Sequence, residues 1–140
     1  MWNWFGKWKK DSRTRKENKP KKKYSKEERM HTLICKVLEW VREAADTKLP
    51  RKGKFTKFGI GLCFPDDEEF RGLLNIEYGT EPDRRTATAG VYRVGTDRLV
   101  SNCFFFDSTQ ALREWLEAED TVPLLMETYR HLRQRAEEMD

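Results

Sequence analysis

The side chains best suited to covalent or proton-transfer chemistry are three cysteines, Cys35, Cys63 and Cys103, and two histidines, His31 and His131. A thiol nucleophile needs an imidazole within hydrogen-bond reach, and a zinc site needs ligands at short regular intervals such as Cys-x-x-Cys. Neither spacing occurs. The cysteines are far apart and each sits among apolar residues, so they are expected as three buried, reduced thiols of an intracellular protein. His31 is expected at the border of a helix's apolar stripe, and His131, beside Arg130 and Arg133, in solvent. The carboxylate run Asp66-Asp67-Glu68-Glu69 follows Pro65 and reads as a solvated turn. Gly59-Ile60-Gly61 lacks the third glycine and the following helix of a phosphate-binding loop. The expectation is a protein that is not an enzyme, with no catalytic residues, no metal site and no cofactor.

The residue types point instead to anion binding. Residues 1–26 hold eleven Lys or Arg against Asp11 and Glu17, a net of +9. The rest carries 17 basic and 22 acidic side chains, a net of −5, so the overall +4 conceals a basic arm on a mildly acidic body. Lys7, Lys9, Lys10, Arg13, Arg15, Lys16, Lys19, Lys21, Lys22 and Lys23 could neutralise phosphates and release their counterions. Trp2, Trp4 and Trp8 among them could stack on unpaired bases. The same composition also suits a surface of acidic lipids, where aromatic rings sit at headgroup level. No apolar residue occurs from Lys9 through Lys23, so residues 1–24 are expected to be disordered when free.

Residues 25–140 are expected to form one compact α+β domain. Ser25-Lys26-Glu27-Glu28 has capping-box form, and Met30, Leu33, Ile34, Val37, Leu38, Val41, Ala44 and Ala45 then recur at three- and four-residue steps, predicting a helix to about Asp46. Between Phe55 and Phe106, alternating runs separated by Pro65–Glu69, Gly79–Arg84 and Gly95–Asp97 predict four strands in an antiparallel meander. The first strand sets Phe58, Ile60, Leu62 and Phe64 against Gly59, Gly61 and Cys63. The second sets Phe70, Leu74, Ile76 and Tyr78 against Arg71, Leu73, Asn75 and Glu77. The third sets Ala87, Ala89, Val91 and Arg93 against Thr86, Thr88, Gly90, Tyr92 and Val94. The fourth alternates weakly and ends in Phe104-Phe105-Phe106, as a strand covered on both faces would. Asp107 or Ser108 is expected to cap a helix striped by Ala111, Leu112, Trp115 and Leu116. Asp120 or Thr121 is expected to cap a last one buried through Leu125, Tyr129, Leu132, Ala136 and Met139. The order is αββββαα.

Two further features bear on partners. The small residues Gly59, Gly61, Ala87 and Ala89 would let a neighbour approach the sheet closely, whether the first helix, a protein partner or a second copy of the chain. Arg84, Arg85, Arg93 and Arg98 cluster in sequence around the third and fourth strands, and are expected to pair with Glu77, Glu81 or Asp83 unless they extend the arm's footprint. No apolar run is long enough to span a bilayer, and no signal peptide is legible, so the expected location is cytoplasmic. The expected function is a non-enzymatic binding module whose arm engages nucleic acid or a nucleoprotein while the body binds a protein. The alternatives are an inhibitor, antitoxin or immunity-like protein of phage or mobile-element type, or weak association with an acidic membrane surface.

Overall fold

A computed structural model of the chain describes residues 24–48, 56–80 and 83–139. The order is α1 (Lys26–Lys48), β1 (Thr56–Leu62), β2 (Phe70–Thr80), β3 (Asp83–Arg93), β4 (Leu99–Phe105), α2 (Thr109–Glu117) and α3 (Thr121–Glu138). The four strands form one antiparallel sheet in sequential order, the expected meander. The expected disordered arm lies outside the described residues.

Two of the three helix starts are capped by a side chain. At α1 the capping box closes both ways: Glu28 N donates to Ser25 Oγ at 3.0 Å and Ser25 N donates to Glu28 Oε1 at 2.8 Å. Ser108 caps α2 by accepting from Ala111 N at 3.0 Å. Asp120 makes no cap on α3. The buried Thr121 hydroxyl instead donates to the Trp115 carbonyl, tying α3 to the end of α2.

The pairing register decides which residues become core. Ile60 pairs with Leu74 and Leu74 with Ala89, so the large side chains of β1 and β2 and the alanines of β3 share one face. All three helices cover that face. Leu33, Ile34, Val37, Leu38 and Val41 of α1, Leu112 and Leu116 of α2, and Leu125, Tyr129 and Leu132 of α3 are buried together with Ile60, Leu62, Phe70, Leu74, Ile76, Tyr78 and Val91. Burying each such side chain stabilises the fold by about 1.5–3 kcal/mol. Met139, expected in this core, is exposed.

The register also separates the four small residues. Ala87 and Ala89 are fully buried beneath the helices, and it is α3, not α1, that lies across β3. Gly59 and Gly61 belong to the opposite face, because Gly59 pairs with Asn75 and Gly61 with Leu73. That face is not hollow at Gly59, where an added Cβ would meet Asn75 Oδ1 at 1.9 Å. The expected small-residue docking face therefore does not exist as one surface. On the core side, Phe64 crosses β2 above Gly72, where a Cβ would stand 2.5 Å from the Phe64 ring.

Two other expectations change. The Gly79–Arg84 turn is mostly strand, since pairing runs out to Thr80 and Asp83. β4 is an edge strand covered on one face, with Phe104 and Phe106 half-buried against Trp115 at centroid distances of 5.3 Å and Phe105 left 78% exposed. No helix among the described residues is long and apolar enough to cross a membrane. Leu74→Ala is expected to cost about 2–5 kcal/mol in urea unfolding.

Candidate functional site

At one end of the sheet, where residue 24 leads into the described chain, the start of α1, the β1–β2 loop and the middle of α3 surround a cleft of about 530 Å³. Its floor is apolar: Met30 from α1, Phe64 and Pro65 from the loop, and Met126 and Tyr129 from α3. Its rim is polar, with Ser25, Lys26, Glu27, Asp67, Arg130 and Arg133. The size falls within the roughly 300–1,000 Å³ of small-ligand sites, and the flexible thioethers of two methionines suit a varied apolar guest.

The rim is held by ion pairs that depend on the carboxylate run. Asp66 has left-handed backbone (φ 58°) and turns its carboxylate to Arg29, whose Nη1 donates at 3.1 Å. This contact holds Asp66 below the usual carboxylate range. Asp67 points inward with its side chain 6% exposed. It accepts from the amides of Glu69 at 3.1 Å and Phe70 at 3.2 Å, and from Arg133 Nε at 2.9 Å. Burial pushes the Asp67 carboxyl up, but Arg133 and the two amides more than offset it, leaving it below the ordinary value. Arg133 also reaches Glu137 at 2.9 Å, and its guanidinium lies 4.4 Å from the Phe70 ring centroid. Arg93 lies 4.6 Å from the same ring and pairs with Glu69. Phe70 is thus covered by two cations, each anchored by an acid of the loop. Of the run expected to be solvated, Asp66, Glu68 and Glu69 are exposed as expected, although Asp66 and Glu69 are ion-paired, whereas the Asp67 side chain is buried and acts as a structural clamp.

Tyr129 completes the floor. Its ring stands 5.6 Å from that of Phe64, and its hydroxyl donates to the Leu73 carbonyl at 2.7 Å. Burial raises the Tyr129 hydroxyl's pKa, so it acts as a neutral donor.

The other predicted site residues are dispersed. Trp2, Trp4, Lys7, Trp8, Lys9, Lys10, Arg13, Arg15, Lys16, Lys19, Lys21, Lys22 and Lys23 lie outside the described residues. Arg84 pairs with Gly79 in β3, and its side chain is not among those described. Arg85 and Arg93 stand at opposite ends of β3. Arg85 donates to Thr109 Oγ1 and the Asp107 carbonyl, both at 3.3 Å, at the start of α2. Arg98 donates to the Met139 carbonyl at 3.4 Å. Arg93 and Arg98 line one small hollow with Ala136 and Met139, away from Arg85, so the described arginines do not form one patch, and the described contacts of Arg85, Arg93 and Arg98 are not to the acids expected. Glu77 pairs with Lys57 at 3.8 Å.

Cys35 is half-buried while Cys63 and Cys103 are exposed, so the thiols are not a buried set. Cys35 Sγ lies 3.7 Å from His31 Nδ1, one helical turn away on the surface of α1. His131 is exposed. Among the described residues no group of three or more His, Cys, Asp or Glu could hold a metal ion.

Sequence reasoning assigned Met30, Phe64 and Tyr129 to apolar stripes but not to a common cleft, and missed Met126. Periodicity shows which side chains turn inward, whereas the cleft depends on how α1 and α3 splay around the loop. Comparison with family models, curated proteins and solved structures returns no match.

The Asp67 contacts predict a pH signature. A carboxyl held below its ordinary value contributes stability that is complete above that value, near 3.9, and is lost as pH falls through the lower folded value. Asp67→Asn should cost about 1–3 kcal/mol at neutral pH in urea unfolding, and the gap to the native chain should close below about pH 4. A gap that stays constant with pH would assign the loss to packing alone.

Proposed function

We propose that the chain is a non-enzymatic binding module in which the arm, residues 1–24, engages nucleic acid or a nucleoprotein and the body binds a protein. The observation that carries this reading is the division of charge, +9 in residues 1–26 against −5 in the remainder. The open face of the sheet supports giving anion binding to the arm. The charged side chains described there are Lys57, Arg71 and Glu77, and the first and last of these pair with each other. Arg71 is engaged with the carbonyls of Asp67 and Phe70 at 3.2 and 3.3 Å. Side chains so engaged with one another and with the backbone are a poor match for a phosphate backbone and a better one for protein.

The apolar cleft at the root of the arm favours a second reading. A mildly acidic body with a hydrophobic slot suits a blocking protein, of inhibitor, antitoxin or immunity type, that seats one apolar side chain of its target there. The two readings differ in what survives neutralisation of the arm.

Fluorescence anisotropy of a labelled single-stranded oligonucleotide with the full chain separates them. Binding should weaken steeply with salt. Replacing Lys19, Lys21, Lys22 and Lys23 together by Gln should reduce the slope of log K against log salt by up to about 3, at ~0.7 per lost phosphate contact. Absence of salt-sensitive binding by the native chain would leave the blocking reading. Replacing Trp2, Trp4 and Trp8 by Ala should weaken binding by about 1–3 kcal/mol for each base they stack. An unchanged affinity would remove stacking from the account.

A further inference from the structure

The outer edge of β4 is unlike the other edge of the sheet. Natural edge strands are blunted by charge, proline or bulges, because a bare row of amides and carbonyls invites another strand. β1 carries Lys57, Gly59 and Gly61. β4 reads Leu-Val-Ser-Asn-Cys-Phe-Phe, with no charge and no proline over Leu99–Phe105, and it exposes Leu99 (48%) and Phe105 (78%).

Backbone parity says which groups face out. The amide of Phe106 donates to the Arg85 carbonyl at 2.9 Å, continuing the β3–β4 register by one residue. Residues in hydrogen-bonded antiparallel pairs alternate with residues that turn both groups away. Val100, Asn102 and Phe104 therefore bond inward to β3, and Leu99, Ser101, Cys103 and Phe105 present N–H and C=O outward. Among the described residues no backbone hydrogen bond from another element reaches these four.

We propose that a second copy of this chain pairs antiparallel with β4 along this edge, about a two-fold axis through Asn102. A closed two-fold contact must be self-complementary, and this register is. Leu99 of one copy faces Phe105 of the other, so the two exposed apolar side chains cover each other on the open face. Ser101 faces Cys103, Val100 faces Phe104, and Asn102 faces its own equivalent. Outward-facing residues meet outward-facing residues throughout, as a ladder requires. A shift of the axis by one residue in either direction would set Phe105 opposite Asp97 or Ser101 and Leu99 opposite Cys103 or Asp107, losing the apolar pair. Asn102 belongs to the helix-covered face yet is exposed, so neither α2 nor α3 overhangs the middle of the strand. The product is a continuous eight-stranded sheet with the helices of both copies on one side, and it requires no nucleic acid.

The test uses the full chain. Sedimentation velocity should give about twice the 16.7 kDa chain mass for the native protein. Ser101→Pro removes an outward amide but leaves the inward ladder to β3, and should halve that mass while keeping the native circular dichroism. Asn102→Cys in a C63S/C103S background places a thiol at a non-hydrogen-bonded pair, where Cα atoms are ~4.5 Å apart and a disulfide can close. Mild oxidation should convert most of that variant to a covalent dimer, while Thr96→Cys in the same background stays monomeric on non-reducing gels. A native chain that sediments at 16.7 kDa at all concentrations overturns the proposal. So does a native dimer in which Asn102→Cys cross-links no better than Thr96→Cys, whatever becomes of the Ser101→Pro variant.

Discussion

One constraint governs this fold: along each strand successive side chains alternate faces, and the pairing register aligns those alternations so that the core-forming side chains of all four strands gather on one face of the sheet. Ile60, Leu74 and Ala89 lie in one row, and Gly61, Leu73 and Gly90 in the next. All three helices pack onto the first face, where the large side chains of β1 and β2 are aligned. What remains exposed follows from that. Among the described residues these exposed features are an open sheet face, an unpaired edge at β4, and a cleft where α1, the β1–β2 loop and α3 meet.

The loop shows how one residue can stabilise several elements. Asp67 caps the start of β2 through two amides and grips α3 through Arg133, and Arg133 in turn covers Phe70. A carboxylate 6% exposed would be costly without these partners. With them it fixes how the loop meets α3, and so fixes the walls of the cleft beside it.

Much of the fold was legible because its signals are local. The capping box at Ser25, the heptad-like stripe of α1 and the alternations of β1 to β3 each report on their own segment. Properties set by neighbouring elements were not. Phe104-Phe105-Phe106 reads alike in a central strand and at an edge, and only the sheet order distinguishes them. Asp67 and Asp66 are alike in sequence, yet one turns to Arg133 and the other to Arg29. Gly59 and Ala89 are both small, but parity places them on opposite faces. The cleft was illegible for the same reason, since Met30, Phe64 and Met126 meet only through helix placement. The arm is the reverse case, with its composition explicit in the sequence and its residues outside the described structure.

On the proposed reading the body and the arm divide the work, packing in one and charge in the other. The five tryptophans report on that division directly, because Trp2, Trp4 and Trp8 belong to the arm and Trp40 and Trp115 to the body. Titrating the full chain with a single-stranded oligonucleotide while following the indole N–H resonances by NMR should shift the three arm signals and leave Trp40 and Trp115 in place. Movement of the body signals with the arm signals unchanged would contradict the assignment of anion binding to the arm.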